Sequence, residues 1–387
     1  MTERLRPDVA IIGGGIAGCA AALALRKRGL TVVLMDKGFC GAGASGVNFG
    51  GVRRQGRSLV ELPLATRSRA IWDRLPELVG EDGEFRASGH VKVARSEADM
   101  AVLEAYARDA ADWGLDLKLI GPNAVRGDYP WLGRKVVGAS LCVDDGQANP
   151  RLVGPAFARA ARRAGADIRE LTRVEAAGFD GEKFEIRAEN GLVVESRWLI
   201  NVAGAWAGKV ADWFGDSVPI HLQVPNMAVT EPLPFFIDRS IGVCGGDLYV
   251  RQVDRGNVVF GGGAGWGDIE LDRSRPRTEA TQGAMVKLID LIPALKGAMV
   301  IRSWTGFDGE TPDQMPVIGP SLAVPRLLHA FGFSGHGFQL APAVGEVLSE
   351  LVADGETLTD ITAFTLGRFR PSWQSSIAEK FDPAGRI

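Results

Sequence analysis

Near the N-terminus the apolar positions fall into blocks of different period. Residues 9–12 are an unbroken apolar run, the residues from 16 to Lys27 are rich in helix formers, and a second apolar run at 31–35 ends at Asp36. Short continuous runs next to glycine predict buried strands. The block between them predicts a helix that stops at Gly29. Further along, helical periodicity predicts helices at 59–78, 97–113 and 150–163, and strand-like runs stand at 91–94, 138–143, 184–188, 198–202, 248–253, 257–261 and 327–332. Helical and strand-rich stretches interleave. The chain therefore reads as α/β, or α+β overall, with two domains and more than one crossing between them.

The first strand meets its helix through Gly13-Gly14-Gly15-Ile16-Ala17-Gly18. Gly13 allows a tight turn, Gly15 the close approach of a pyrophosphate, and Gly18 the packing of helix on strand, while the helix N-terminus offers free N–H groups to an anion. Asp36 ends the second strand, where a carboxylate can accept hydrogen bonds from a ribose. A lone glycine motif of this type also occurs in ordinary α/β turns. Here the strand, helix and acid in register favour a dinucleotide.

Composition narrows the partners. Lys and Arg number 44 against 47 acidic residues, a balance that argues against a nucleic-acid or polybasic membrane partner. The 50 glycines are nearly twice the usual share of about 7%, as suits many tight turns. Cys19, Cys40, Cys142 and Cys244 stand far apart and read as reduced, cytoplasmic thiols, and the four histidines show no metal-ligand spacing. The apolar run at 9–25 resembles a signal or anchor segment, but its glycines and the basic residues after it fit a nucleotide cradle better, and no other stretch is apolar enough to span a membrane.

Two later segments separate the possible dinucleotides. "DKGFCGAGASGVNFGGVRRQG", from residue 36, holds seven glycines and ends near Arg53 and Arg54, so its backbone can follow a long ligand. "LLHAFGFSGHGFQLAPAVGEVLSELVADG", from residue 327, is a strand, a glycine turn and a helix whose start, near Leu340, points N–H groups at something electron-rich.

Together with "DDGQANP", "NVAGAW", "YVRQVDRGNVVFGGG" and "TPDQMPVIGPS", these segments resemble the D-amino-acid-oxidase superfamily of flavoproteins, in the branch of glycine oxidase, monomeric sarcosine oxidase and the β subunits of heteromeric sarcosine, proline and opine dehydrogenases. The resemblance implies FAD, a Rossmann-like FAD-binding domain built from residues 1–84, 146–216 and 303–387, and an antiparallel-sheet substrate domain from 85–145 and 217–302. It also implies that Gly13, Gly15, Ile16, Ala17, Gly18, Asp36 and Lys37 hold the adenosine and pyrophosphate, and that Gly43, Ala44, Ser45, Asn48, Gly50 and Gly51 run past the phosphates. Val174 would meet the adenine, Ala203, Gly204 and Trp206 would form a second loop on that side, and Gly332, Gly335, His336, Gly337, Phe338 and Gln339 would lie beside the ring.

Departures from those relatives carry information too. Single-chain sarcosine oxidases attach the flavin through a cysteine just before the TPD segment, where Gly306 stands here, which implies non-covalent FAD. Glycine oxidase has a carboxylate-binding arginine near the position of Asp308. The strand that bears an oxygen-activating lysine in sarcosine oxidases reads "NVVFGGG", without a lysine, which favours a dehydrogenase.

For a substrate carboxylate the planar fork of Arg53 is the first candidate, with Arg54 and Arg251 behind it, each of which can equally be a surface arginine. Tyr249 matches a cavity-lining aromatic or is an ordinary strand tyrosine. Asp308 and Glu310 attract an amine or are loop carboxylates, and His336 completes the candidate set. The expected activity is oxidation of a small amino acid or secondary amine of proline, hydroxyproline, sarcosine or opine type to an imine by a dehydrogenase that passes electrons to an acceptor other than oxygen, for which a partner subunit is one candidate. The alternatives are a peroxide-producing oxidase and a flavin-binding subunit without its own turnover, with a nicotinamide-linked hydroxy-acid dehydrogenase as a remote option.

Overall fold

The computed structural model describes residues 3–369. Residues 1–2 and 370–387 of the segments assigned above to the FAD-binding domain lie outside the described residues.

Six strands form one sheet in the order Val317–Pro320, Leu327–Phe331, Trp198–Asn201, Val9–Ile12, Val32–Met35 and Asp167–Arg169, parallel throughout except for the first pair. Both faces of this sheet are covered. Val9, Ile11, Val32 and Leu34 pack with residues of the helices Ile16–Lys27, Pro150–Arg163 and Gly337–Ala353. Ala10, Ile12, Val33 and Met35 pack instead against Phe184, Ile186 and Val194 of a four-stranded sheet. Two-sided burial is why these runs contain no polar residue. The Ile16–Lys27 and Gly337–Ala353 helices approach so closely that a Cβ on Gly345 would lie 2.6 Å from the backbone of Ala20.

A second sheet of eight strands runs in the order Val300–Thr305, Pro225–Pro232, Asn257–Ala264, Tyr249–Gln252, Ser240–Val243, His90–Ala94, Gly138–Cys142 and Lys118–Ile120. One face, with Val91, Val93, Ile241, Val250 and Phe260, packs on Leu288 and Leu291 of the Thr278–Leu291 helix. The other face carries His90, Lys92, Gly242, Tyr249, Gly261 and Met227. Register places Lys92 beside Gly242, Gly242 beside Tyr249, Tyr249 beside Gly261, and Gly261 beside Met227.

Three local differences from the sequence reading have physical causes. The single helix at 59–78 is a 3-10 turn, Leu59–Glu61, followed by separate helices Leu62–Asp73 and Leu75–Val79, because Pro76 lacks an N–H and its ring opposes the carbonyl four residues back. The last long helix begins at Gly337 rather than near Leu340, which puts Pro342 in its second turn instead of its first. The strand at 257–261 continues to Ala264 because Pro225 pairs with that end. Among the described residues no helix is long and apolar enough to cross a membrane, and no group of His, Cys, Asp or Glu is placed to hold a metal ion.

Candidate functional site

A cavity of about 750 Å³ lies along the carboxyl ends of the parallel strands, where open α/β sheets bind their ligands. Its first wall is the glycine turn. Gly13 has φ +118°, and a Cβ there would stand 2.3 Å from the Val202 carbonyl oxygen. Gly15, Ile16 and Ala17 line the cavity. Gly18 does not; a Cβ on it would meet the Gly13 carbonyl oxygen at 2.0 Å, so it serves the packing of helix on strand.

Asp36 lines the cavity with its carboxylate spent partly on the turn itself. Its oxygens accept from the Gly14 N–H at 2.6 Å and the Gly38 N–H at 2.7 Å. Each oxygen keeps a second lone pair, so it shapes the cradle and can still accept a ribose hydroxyl. Burial nevertheless raises its pKa above the ordinary value. Lys37 reaches across the cavity, its Nζ 3.0 Å from the centre of the Trp206 ring and 2.5 Å from Asp272.

Of the second glycine track, Gly43, Ala44, Ser45 and Asn48 line the cavity, and a Cβ on Gly43 would meet nothing within 4 Å. The Ser45 hydroxyl accepts from the Ile16 N–H at 2.9 Å. Gly50 and Gly51 stand apart from the wall. Gly50, at φ +84°, packs against the Ala148 carbonyl, and Gly51 pairs with Gln147. Val174, Ala203, Gly204, Gly332, Gly335, Gly337 and Phe338 complete the lining. Gln339 does not reach it. It is fully buried, donates its side-chain N–H to the Ala65 carbonyl at 2.8 Å, and pins two helices together.

The far end of the cavity is built from side chains. Asp308 lines it, half-buried, with its carboxyl pushed up to about 7 by desolvation and then by the charge of Glu310. Tyr249 stands on the adjoining sheet face, its ring edge-on to Phe49 with centres 4.9 Å apart, and burial and Asp308 push its phenol up to about 12. A Cβ on Gly261 would lie 2.3 Å from the Tyr249 ring, so that glycine leaves room for it. Glu310 lies outside the lining.

The three arginines have different fates. Arg54 is held by Asp145 and Asp144, its Nη2 3.2 Å from the latter. Arg251 donates Nε to the Phe49 carbonyl at 2.6 Å, fixing the residue on which Tyr249 rests. Arg53 donates Nη1 to the Gln55 carbonyl at 2.5 Å and, among the described residues, makes no ion pair. His336 hydrogen-bonds through Nδ1 to Glu61 at 3.0 Å; burial and then Arg57 push its pKa down to about 4, leaving it neutral.

Glu61, Arg57, His90 and Lys92, absent from the sequence candidates, gather beside Arg53. The signal for two of them was present in "HVKVA". Its alternation puts Val91 and Val93 in the core and turns His90 and Lys92 the other way.

Comparison with known proteins decides the cofactor. The sequence profile of the family described as FAD dependent oxidoreductase matches residues 8–351. The chain belongs to this family. It is 30% identical to the beta chain of sarcosine oxidase from Rhizobium meliloti, over 94% of this chain and 88% of that one, and 27% identical to one of the subunits of opine oxidase from the same organism, over 94% and 97%. The crystal structure of L-proline dehydrogenase from P. horikoshii superimposes with a TM-score of 0.87 at 27% identity, covering 95% of this chain and 98% of that one. This FAD-dependent oxidoreductase fits its cofactor on its own geometry. The glycine turn leaves backbone N–H groups facing a long cavity, and no cysteine is among the lining residues.

Proposed function

We propose that this oxidoreductase is a dehydrogenase that oxidises a small amino acid or secondary amine of the proline, hydroxyproline, sarcosine or opine type to an imine, with FAD held non-covalently. The observation that carries this reading is the half-buried Asp308 carboxyl at the far end of the cavity beside Tyr249. FAD, when bound, accepts a hydride from the carbon next to nitrogen, which requires a neutral amine. A carboxyl with a pKa near 7 is matched to take the proton from a substrate ammonium at working pH. Arg53 would hold the substrate carboxylate through its planar fork, and Tyr249, steadied by Phe49 and Arg251, would close the cavity against water.

The Asn257–Ala264 strand bears no lysine, which favours an acceptor other than oxygen. The relatives named as subunits favour a partner chain that carries the electrons away. On this reading the segments 85–145 and 217–302 form the substrate domain and the remainder the FAD-binding domain, which also brings Arg53 and Asp308 to the substrate.

Anaerobic bleaching of the flavin by a panel of amines tests the reaction. Bleaching by none of them removes the proposal. Peroxide formation at the same rate in air would make it an oxidase, whereas turnover only with a dye makes it a dehydrogenase. Acid precipitation should release the flavin into the supernatant, and a yellow pellet would contradict non-covalent binding.

A further inference from the structure

Three cationic side chains meet around Gly56, outside the residues that line the cavity, without a matching set of anions. Lys92 Nζ and Arg53 Nη1 stand 3.0 and 3.3 Å from the point a Cβ on Gly56 would occupy. Arg57 donates Nε to the Arg53 carbonyl at 3.2 Å, is 3% exposed, and has no partner for Nη1. Among the described residues none of the three makes an ion pair. Glu61 is the carboxylate in their midst, and it already accepts from His336 and from the Ser58 N–H. Asp145 is engaged by Arg54 and by the N–H groups of Arg54 and Gln55. His90, with Nδ1 3.2 Å from the Gln55 side-chain oxygen, is kept neutral by burial, and the Tyr106 hydroxyl is spent on the Arg57 backbone.

Three positive charges against one carboxylate leave an excess of two. Uncompensated charge in a buried setting is costly: burial and then Arg53 push Lys92 down to about 8 and Arg57 down to about 9, and anions from outside the chain would relieve that cost. The single carboxylate of a simple amino acid would cancel half of it. The sheet register shows how the rest connects to the reaction site. Lys92 and Tyr249 are separated by Gly242 alone, a residue with no side chain, and the neutral His90 ring crosses that gap, its Nε2 3.1 Å from where a Gly242 Cβ would stand.

We infer that Arg53, Arg57 and Lys92 form a pocket for two carboxylates, and that the substrate is an amine bearing both. The inference rests on the amine-oxidation reading above and narrows it: Arg53 takes the carboxylate nearer the nitrogen, and Lys92 with Arg57 takes the second.

Calorimetric titration of the FAD-loaded protein with malonate and succinate, set against acetate and propionate, tests the pocket. Each dicarboxylate should bind at least about tenfold tighter than its monocarboxylate counterpart, and the advantage should shrink to about twofold in Lys92→Met. Equal binding of the two classes, or an advantage that survives both Lys92→Met and Arg57→Met, overturns it. Because Lys92 lacks a partner within the chain, Lys92→Met should also raise the melting temperature of the ligand-free protein, and a lower value would mean that Lys92 is already compensated. Anaerobic reduction by iminodiacetate and by sarcosine scores the amine reading separately. Tight dicarboxylate binding without reduction by either amine keeps the pocket and removes that reading, whereas reduction by sarcosine with no dicarboxylate preference does the reverse.

Discussion

The two ends of the cavity are built from different materials. At the glycine turn the wall is backbone: Gly13, Gly15 and Gly43 line the cavity without side chains, and the side chains nearby mostly brace the loop, as Asp36 does for Gly14 and Gly38. At the far end side chains take over: Asp308 lines the cavity, and Tyr249, Arg53 and the cations beside it stand outside that lining, brought together from a loop and several strands. A backbone site tolerates loss of a neighbouring side chain but no added Cβ. A side-chain site behaves the opposite way. The first suits a cofactor common to a family, and the second suits the substrate particular to one member.

The largest effect expected from this contrast is at Gly13. Val in its place would put a Cβ 2.3 Å from the Val202 carbonyl oxygen, in a backbone region at φ +118° that L side chains rarely adopt. Gly13→Val should therefore be isolated colourless or not fold, as judged by visible flavin absorbance. A yellow, folded variant would show that the turn is not the cradle. Next in size is Arg53→Ala. Loss of a charge-assisted, two-bond contact costs about 2–4 kcal/mol, roughly two orders of magnitude in KM for a carboxylate substrate, with flavin content unchanged. An unaltered KM would remove Arg53 from the substrate side.

The same contrast explains what the sequence revealed. The cradle was legible because strand, turn, helix and acid are contiguous, although the Val202 carbonyl that also demands a glycine at position 13 is distant in sequence. The large sheet was legible only in part. The Pro225–Pro232, Ser240–Val243 and Val300–Thr305 strands, together with the Thr278–Leu291 helix, escaped the periodicity reading because their pairing partners, not their own patterns, determine them. Arg53 could be named from its place at the end of a glycine track. Its companions Arg57 and Lys92 lie four residues on and two strands away from Tyr249, and their shared burial exists only in the folded chain. Nor does anything local announce the partners of Arg54 and Arg251, Asp145 and the Phe49 carbonyl.

Asp308→Asn should have a smaller effect with a distinctive pH signature. The folded-state pKa is raised to about 7 from an ordinary value of 3.8, so between these values the folded protein keeps a proton that the unfolded chain has released. The sign follows: this group makes stability fall as pH rises from about 4 to 7, and the Asn variant should lack that part of the fall in its melting temperature. Its kcat/KM should drop roughly tenfold to a hundredfold and lose the limb that rises through about pH 7 in the parent. Retention of that limb would assign the proton transfer to another group.

The smallest effect should come from Ser45→Ala, although Ser45 sits in the middle of the cofactor wall. Its hydroxyl accepts from the Ile16 N–H at 2.9 Å, one of the donors at the start of the first helix. A single neutral hydrogen bond is worth about 0.5–1.5 kcal/mol net, and water or a phosphate oxygen can replace this one at a half-buried position. FAD affinity, followed by flavin fluorescence quenching, should therefore weaken by less than about tenfold. The contrast with Gly13→Val is the point: removing a side chain here costs little because backbone N–H groups do the holding, whereas adding one closes the turn. A loss of FAD from Ser45→Ala as complete as that from Gly13→Val would show that side chains carry the cofactor too, and the division between a backbone end and a side-chain end would fall.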